Sequence, residues 1–414
     1  MIRTVVLQQK EERNTLLQCA YVERVFVGET EDFLATNLIK LITGPRRAGK
    51  SVFALQLLKS KKFAYLNFDD DLLLKHFDEN LVWQLLLEIY GDFDYLLLDE
   101  IQNLPEWEMW IAKLYRRGTN LIITGSNSKL LSNEMATALT GRFIQITILP
   151  FSFAEVLSYS NISVAYDTPS EKALLMQQLT EILKYGSFPE IVKLRSLTRN
   201  YLSALYDSIL LKDITKRFKV RNSNELYNLS TYLLSNYCNL FSINQLSEEL
   251  DIGSIHTAQK FCNYLTEPYL FFYLPRYNNK LKIMKKSPQK VYVIDNGFVA
   301  AKSFELSENR GRLLENLVFV ELLRRKLSLF YYRTRNDKEV DFVCRNLHKV
   351  ESLIQVSYDV QNPKTYKREI SALIEASGEL RCNHLLLLTW EDDRMVEENG
   401  VTIVIKPVWK WLLE

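Results

Sequence analysis

The sequence predicts an α/β fold organised around a parallel sheet, and three observations predict it. Between about Leu38 and Leu149, short apolar runs alternate with stretches of helical spacing. The first run, Leu38-Ile-Lys-Leu-Ile-Thr43, stops at a glycine and gives way to a helical stretch, Lys50 to Lys59. The third, Tyr95-Leu-Leu-Leu98, ends in the paired acids Asp99 and Glu100. Strands read as continuous apolar runs when helices cover both faces of a sheet, which is the habit of parallel sheets.

The other elements follow in order. Phe63-Ala-Tyr-Leu-Asn-Phe68 is a second strand and Leu72 to Ile89 a second helix. Trp107 to Arg116 is helical, and Asn120-Leu-Ile-Ile-Thr124 and Phe143-Ile-Gln-Ile-Thr-Ile148 close the strand series. After Pro150 the spacing turns helical, with Glu171 to Leu183 and Thr198 to Ile214 broken by Gly186-Ser-Phe-Pro189. This predicts a helical subdomain. Leu226 to Leu234, Ile243 to Leu250 and Thr257 to Leu265 are three further short helices, followed by a basic, strand-like stretch. From Val291 the texture is mixed again: a helix from Leu313 to Lys326, strands near Phe330, Val340 and Ile354, a helix from Glu369 to Ala376, and strands at His384–Trp390 and Val401–Ile405.

At 414 residues the chain exceeds one core, and the length alone suggests about three domains. Apolar residues make up 47% and charged residues 25%, the balance of a globular protein rather than a disordered or membrane-embedded one. The five cysteines contain no C-x-x-C pair, which argues against a zinc site or disulfide framework and for a reducing compartment. The longest apolar runs, such as Leu385 to Leu388, are too short to cross a bilayer, and no apolar segment follows Met1 as a leader would require. The expectation is a cytoplasmic protein with no membrane partner. The net charge of +2 is small, but its distribution is uneven. Pro268 to Ile294 holds no Asp or Glu, while Arg276, Lys280, Lys282, Lys285, Lys286 and Lys290 lie among aromatic residues, a candidate surface for a phosphate backbone.

The glycine turn reads Gly44, Pro45, Arg46, Arg47, Ala48, Gly49, Lys50, Ser51, Val52. Gly-x-x-x-x-Gly-Lys-Ser between a strand and a helix is a P-loop, and these nine residues are the expected contacts to ATP. Glycines let the backbone N–H groups turn inward around phosphates, beside the positive end of the helix. Lys50 is expected on the β and γ phosphates and the Ser51 hydroxyl on Mg2+. Asp99 is expected to hold the same metal and Glu100 to polarise the attacking water, since open α/β sheets bind ligands at the carboxyl ends of their strands. The next strand ends in Thr124-Gly-Ser126-Asn127, where Ser126 and Asn127 are equal candidates to touch the γ-phosphate and water. Arg142 is either a finger reaching a neighbouring subunit's site, which implies a homo-oligomer, or a surface ion pair.

The series G-P-R-R-A-G-K-S, L-L-L-D-E-I-Q-N, I-I-T-G-S-N, L-T-G-R-F and L-P-F-S-F-A-E resembles the bacterial and archaeal AAA-type ATPases that carry a DUF4143 C-terminal region. The similarity continues through Gly186-Ser-Phe-Pro-Glu190 and Leu211-Lys-Asp-Ile214 to Glu315, Asp341 and Ile354-Gln-Val-Ser357. Taken with the spacing above and the two segments below, the expected division is an AAA-type P-loop core at 1–150, a helical lid at 151–220, a winged helix-turn-helix at 221–290 and a nuclease-like α/β domain, the DUF4143 region of the resemblance, at 291–414.

Two downstream segments carry further readings. Phe241 to Leu250, the turn Asp251-Ile-Gly-Ser254 and Ile255 to Leu265 have the grammar of a helix-turn-helix. The second helix presents His256, Gln259, Lys260 and Asn263, and the basic stretch through Lys290 would be its wing, so duplex DNA is the expected partner; use in domain packing alone is the competing reading. In the last segment Glu315 on a helix, Asp341 on a strand and Gln355-Val-Ser357 on the next are similar to the PD-(D/E)xK nuclease core, in which acids bind Mg2+ and a lysine stabilises the phosphate. Here Gln355 replaces a carboxylate and Ser357 the lysine. Each such electrostatic element is worth roughly 10²–10³ in rate, so cleavage is disfavoured. The sequence thus predicts Mg2+-dependent ATP hydrolysis that drives or gates DNA binding, over an ATP-gated nuclease or a non-catalytic ATP-binding scaffold.

Overall fold

A computed structural model describes residues 1–24, 30–126, 139, 141–164, 166–303, 309–347 and 349–414. Its contacts divide the chain into two compact units. The first takes Met1–Pro150 with the short piece Glu267–Tyr269, and the second takes Phe151–Thr266 and Leu270–Glu414.

In the first unit the elements run α1 (Ile2–Gln18), α2 (Thr30–Ala35), β1 (Ile39–Thr43), α3 (Lys50–Leu57), β2 (Phe63–Asn67), α4 (Asp71–Lys75), α5 (Glu79–Tyr90), β3 (Tyr95–Asp99), α6 (Trp107–Arg116), β4 (Asn120–Gly125) and β5 (Phe143–Thr147). The five strands form one sheet in the order β2-β3-β4-β1-β5, with every pair parallel. Alternate residues of each strand feed opposite cores. Ile39, Leu41, Leu96, Leu98, Leu121 and Ile123 pack on one face, while Ile42, Leu97 and Ile122 pack on the other with Phe53, Ala54 and Leu58. Burial on both faces is why these strands read as unbroken apolar runs. Helix α1, which the sequence reading did not propose, buries Ile2, Val5 and Val6 in the first of these cores.

The single helix expected from Leu72 to Ile89 is two helices. Asp70 caps α4 through Leu72 and Leu73, and Asp78 caps α5 through Asn80 and Leu81, so a second start signal interrupts the apolar spacing.

The second unit begins with α7 (Phe153–Tyr159) and α8 (Pro169–Tyr185), each opened by a capping box, Ser152 with Glu155 and Thr168 with Glu171. Next come α9 (Pro189–Lys193), α10 (Thr198–Ser208), which continues as a wider π turn over Ile209–Lys216, and α11 (Ser223–Ser235). The break at Gly186 has a physical cause. A Cβ there would stand 1.7 Å from the buried Asp295 carboxylate, which accepts from the Ser187 N–H at 2.7 Å.

Then follow β6 (Leu240–Phe241), α12 (Ile243–Glu249), α13 (Ile255–Thr266), β7 (Phe271–Leu274), α14 (Leu281–Lys286), β8 (Gln289–Val293) and α15 (Asn296–Lys302). The three strands form an antiparallel sheet in the order β6-β8-β7. The basic, strand-like stretch thus holds two strands, β7 and β8, and between them a short helix whose Lys282, Lys285 and Lys286 are exposed. Lys290 departs from the expected basic surface altogether: it is buried.

The chain closes with α16 (Arg310–Arg324), β9 (Ser328–Arg333), β10 (Glu339–Asn346), β11 (Lys349–Val356), α17 (Pro363–Leu380), β12 (Leu385–Thr389), β13 (Arg394–Glu398), β14 (Val401–Pro407) and α18 (Val408–Trp411). Six of these are strands of one mixed sheet, ordered β13-β14-β12-β11-β10-β9. Where β10 pairs with β9 the register shifts between Val340 and Val343, the position of Asp341. An irregularity of this kind re-aims a side chain out of the regular alternation. Among the described residues no helix is long and apolar enough to cross a membrane.

Candidate functional site

The turn from β1 to α3 is shaped by its glycines. Gly44 has φ of +142°, and a Cβ there would lie 2.0 Å from the Ile148 carbonyl oxygen. Gly49 and Arg47 also have positive φ, at 93° and 65°. Gly44→Ala is therefore expected to force the loop off the neighbouring chain. It should abolish nucleotide binding and lower the melting temperature, which titration calorimetry and a thermal melt would show. Arg24, absent from the expected contacts, straps the loop from outside by donating to the Ala48 carbonyl at 3.1 Å and to that of Leu149.

Strand β4 lies between β1 and β3, so the loop and the acidic pair stand two strands apart, about 10 Å at the usual strand spacing. Side chains close that gap. Ser51 Oγ donates to Asp99 Oδ1 at 2.9 Å, Tyr65 Oη donates to Asp99 Oδ2 at 3.2 Å, and Thr124 Oγ1 donates to Asp99 Oδ1 from the intervening strand. Lys50 Nζ donates to the Pro45 carbonyl at 3.0 Å and stands 3.6 Å from Glu100 Oε1, with 4% of its side chain exposed. Glu100 has φ of +50°, a left-handed conformation uncommon for a non-glycine residue, and its N–H donates to Thr124 Oγ1 at 3.0 Å.

The two neighbouring acids are driven apart. Burial, reinforced by the charge of Glu100, raises Asp99 to about 6 against the opposing hydroxyls of Thr124 and Ser51. Burial also acts to raise Glu100, but Lys50, then Gln102 and Arg46, hold it below the ordinary glutamate range. Carboxylates whose surroundings separate them in this way can take different roles. A fully buried, hydroxyl-ringed carboxylate beside the Ser51 hydroxyl fits the hard oxygen-donor set that Mg2+ takes.

The structure thus brings Gly44, Lys50, Ser51, Asp99 and Glu100 together, with Ser126 hydrogen-bonded to the acidic turn through Gln102. Asn127 lies outside the described residues. Arg142 sits just before β5, at the opposite end of the strands from the loop, with its guanidinium 5.7 Å from the Tyr115 ring. Thr124, Tyr65, Gln102 and Arg24 were missed. Gln102 stands in the motif that carries Asp99 and Glu100, but nothing in the sequence marks the parts that it, Thr124, Tyr65 and Arg24 play.

Residues 36–157 match the AAA domain family, residues 176–308 a domain of unknown function, DUF8612, and residues 310–409 another, DUF4143. An uncharacterised protein of Methanocaldococcus jannaschii is 35% identical over 96% of this chain and 93% of its own length. An uncharacterised protein of Haemophilus influenzae is 30% identical over 94% of this chain and 98% of its own. The chain belongs to their family. In this member an AAA-type P-loop ATPase domain is joined to a DUF4143 region. Solved structures are more distant. The Walker-type ATPase of Pyrococcus abyssi is 15% identical with a TM-score of 0.43, covering 69% of this chain and 99% of that one. AMPPCP-bound DnaA of Aquifex aeolicus is 15% identical with a TM-score of 0.26, covering 57% and 84%.

In the DUF4143 region of this family member, Glu315 on α16 and Asp341 on β10 do come together, but around an ammonium. Lys290 Nζ on β8 stands 2.9 Å from Glu315 Oε1, from Glu339 Oε1 and from Asp341 Oδ1. Tyr292 Oη donates to Glu315 at 2.6 Å, and the Val356 N–H donates to Asp341 Oδ2 at 3.0 Å. Burial acts to lower Lys290, but Asp341 and Glu315 hold it well above the usual lysine range, so it stays charged. Gln355 spends its carbonyl on the Asp341 N–H at 3.2 Å and its amide on Glu369 at 2.5 Å. The Ser357 hydroxyl donates to the Asp359 carbonyl at 3.2 Å. Among the described residues no group of three or more His, Cys, Asp or Glu side chains is placed to hold a metal ion.

Proposed function

We propose that the chain hydrolyses ATP with Mg2+ and uses the nucleotide state to govern binding to duplex DNA. The observation that carries hydrolysis, rather than binding alone, is the placement of Glu100. Its carboxylate is ionised, 3.6 Å from the lysine that reaches for the phosphates and beside a second acid bonded to Ser51. Ser51 and Asp99 would hold Mg2+, which supplies charge neutralisation at the phosphates. Lys50 and the loop N–H groups bind and orient the triphosphate, and Glu100 receives a proton from the attacking water. Phosphate release from ATP by the purified chain, sensitive to EDTA, is the direct test. Arg142, at the far end of the strands from its own loop, reaches a γ-phosphate only in a neighbouring copy, so its finger role belongs to an oligomer.

For DNA the support is the arrangement of the middle segment. Helix α11, strand β6, helices α12 and α13 and the β7–β8 hairpin follow one another as in a winged helix-turn-helix. His256, Gln259, Lys260 and Asn263 are all exposed on α13. We keep 151–220, 221–290 and 291–414 as the division that goes with this reading. Replacing Lys282, Lys285 and Lys286 together with Ala should weaken duplex binding by about 10-fold or more at low salt and flatten its salt dependence. Fluorescence anisotropy across a salt series measures this; unchanged affinity refutes the wing assignment. We read the C-terminal region as a binding module without cleavage, since Lys290 already balances the acids that a nuclease would offer to metal.

A further inference from the structure

One buried polar atom of the nucleotide site has no role in the chemistry above. Gln102 lies in the single 3-10 turn Ile101–Asn103 that follows Glu100. Its amide Nε2 donates to Glu100 Oε2 and reaches Ser126 Oγ at 3.4 Å. Its carbonyl Oε1 is buried and has no hydrogen-bond partner among the described residues. The amide cannot be turned over to repair this, because a carbonyl oxygen would then face the Glu100 carboxylate, acceptor against acceptor. Buried acceptors are nearly always satisfied, so an orphan beside a general base marks a place for a donor that arrives with the substrate.

Resting on the ATPase reading, we propose that Gln102 is the positioning residue of the hydrolytic step: its amide pins Glu100 and its free carbonyl accepts a hydrogen bond from the attacking water. The water oxygen bonds to the γ-phosphorus while the bond from that phosphorus to the β–γ bridging oxygen breaks, its electron pair leaving with ADP. One water proton passes to the Glu100 carboxylate. The other, held by Gln102 Oε1 during attack, stays on the new phosphate oxygen. Glu100 needs such a pin. A long side chain on a left-handed backbone position has many orientations, and Lys50, which flanks its other oxygen at 3.6 Å, must turn to the phosphates when ATP binds. Gln102 and Ser126 then remain to hold it.

The test compares wild type with Gln102→Met, which keeps length but loses donor and acceptor, and with Gln102→His, which keeps one of each. Gln102→Met should lower kcat about 10- to 100-fold while KM for ATP stays within about threefold. It should bind a non-hydrolysable ATP analogue like wild type yet lose affinity for ADP with aluminium fluoride, which mimics phosphate in transfer. Gln102→His should recover part of both losses. Wild-type kcat in Gln102→Met, or parallel losses for the analogue and the fluoride complex, overturns the positioning role. Absence of turnover in wild type itself overturns the ATPase reading, which an active wild type beside an unaffected variant does not.

Discussion

Glu100→Gln is expected to leave ATP binding within about threefold of wild type while hydrolysis falls by about 10²–10³ or more, and Lys50→Ala to lose binding and hydrolysis together. The difference follows from where the two groups stand. Lys50 Nζ hangs from the Pro45 carbonyl at 3.0 Å inside the loop itself, so its charge acts on the bound phosphates before and during reaction. Glu100 lies beyond it, pinned by Gln102 and kept ionised chiefly by Lys50 against the pull of burial. Removing its charge removes the proton acceptor and leaves the phosphate cradle whole. Fluorescent-nucleotide titration and phosphate release on the same preparations separate the two effects. Equal behaviour of the two variants contradicts this division of labour.

The largest effect on stability is expected at Lys290, outside the nucleotide site. Lys290→Met removes the cation that stands 2.9 Å from each of Glu315, Glu339 and Asp341, in a site where the lysine side chain is 3% exposed. Breaking a buried ion pair by deleting one partner costs about 3–5 kcal/mol, because the charges left behind have no water to replace the partner. A fall of about 5–10 °C in the melting temperature should follow. The loss should depend on pH. Burial already lifts Glu315 to about 7 even with Lys290 opposing it, well above its value of about 4.3 in an unfolded chain. A raised carboxylate favours the folded state below the unfolded pKa and loses that contribution as pH climbs through the folded one. Without the ammonium, which opposes that rise, Glu315 climbs further. The variant should therefore be closest to wild type near pH 5 and furthest from it near pH 8. Melting curves at both pH values measure this, and a deficit independent of pH contradicts it.

The nucleotide half was legible because its signals are local. Gly44 must be glycine, since any Cβ meets the Ile148 carbonyl, and buried parallel strands show as apolar runs whatever their order in the sheet. What could not be read is what other strands bring. Sheet order decides that β4 lies between β1 and β3, and only then does Thr124 stand against Asp99. Gln102 was in view as part of a motif, yet its orphaned carbonyl is a property of the folded turn. Lys290 is the sharpest case. Six basic residues in an acid-free stretch imply a solvated face, and four of them, Lys280, Lys282, Lys285 and Lys286, are exposed. Strand β8 is buried from Lys290 to Val293 and carries Lys290 inward instead, toward acids brought by α16 and β10, which lie 25 and 51 residues away. Asp78 caps α5, a start signal hidden inside the apolar spacing that runs from Leu72 to Ile89.

The most direct measurement is steady-state phosphate release from ATP by the purified chain with Mg2+, run across protein concentrations with and without duplex DNA. Turnover that EDTA abolishes, that Glu100→Gln lacks and that duplex DNA alters is the expected result. Wild-type release no greater than that of Glu100→Gln under every condition would contradict hydrolysis at this site.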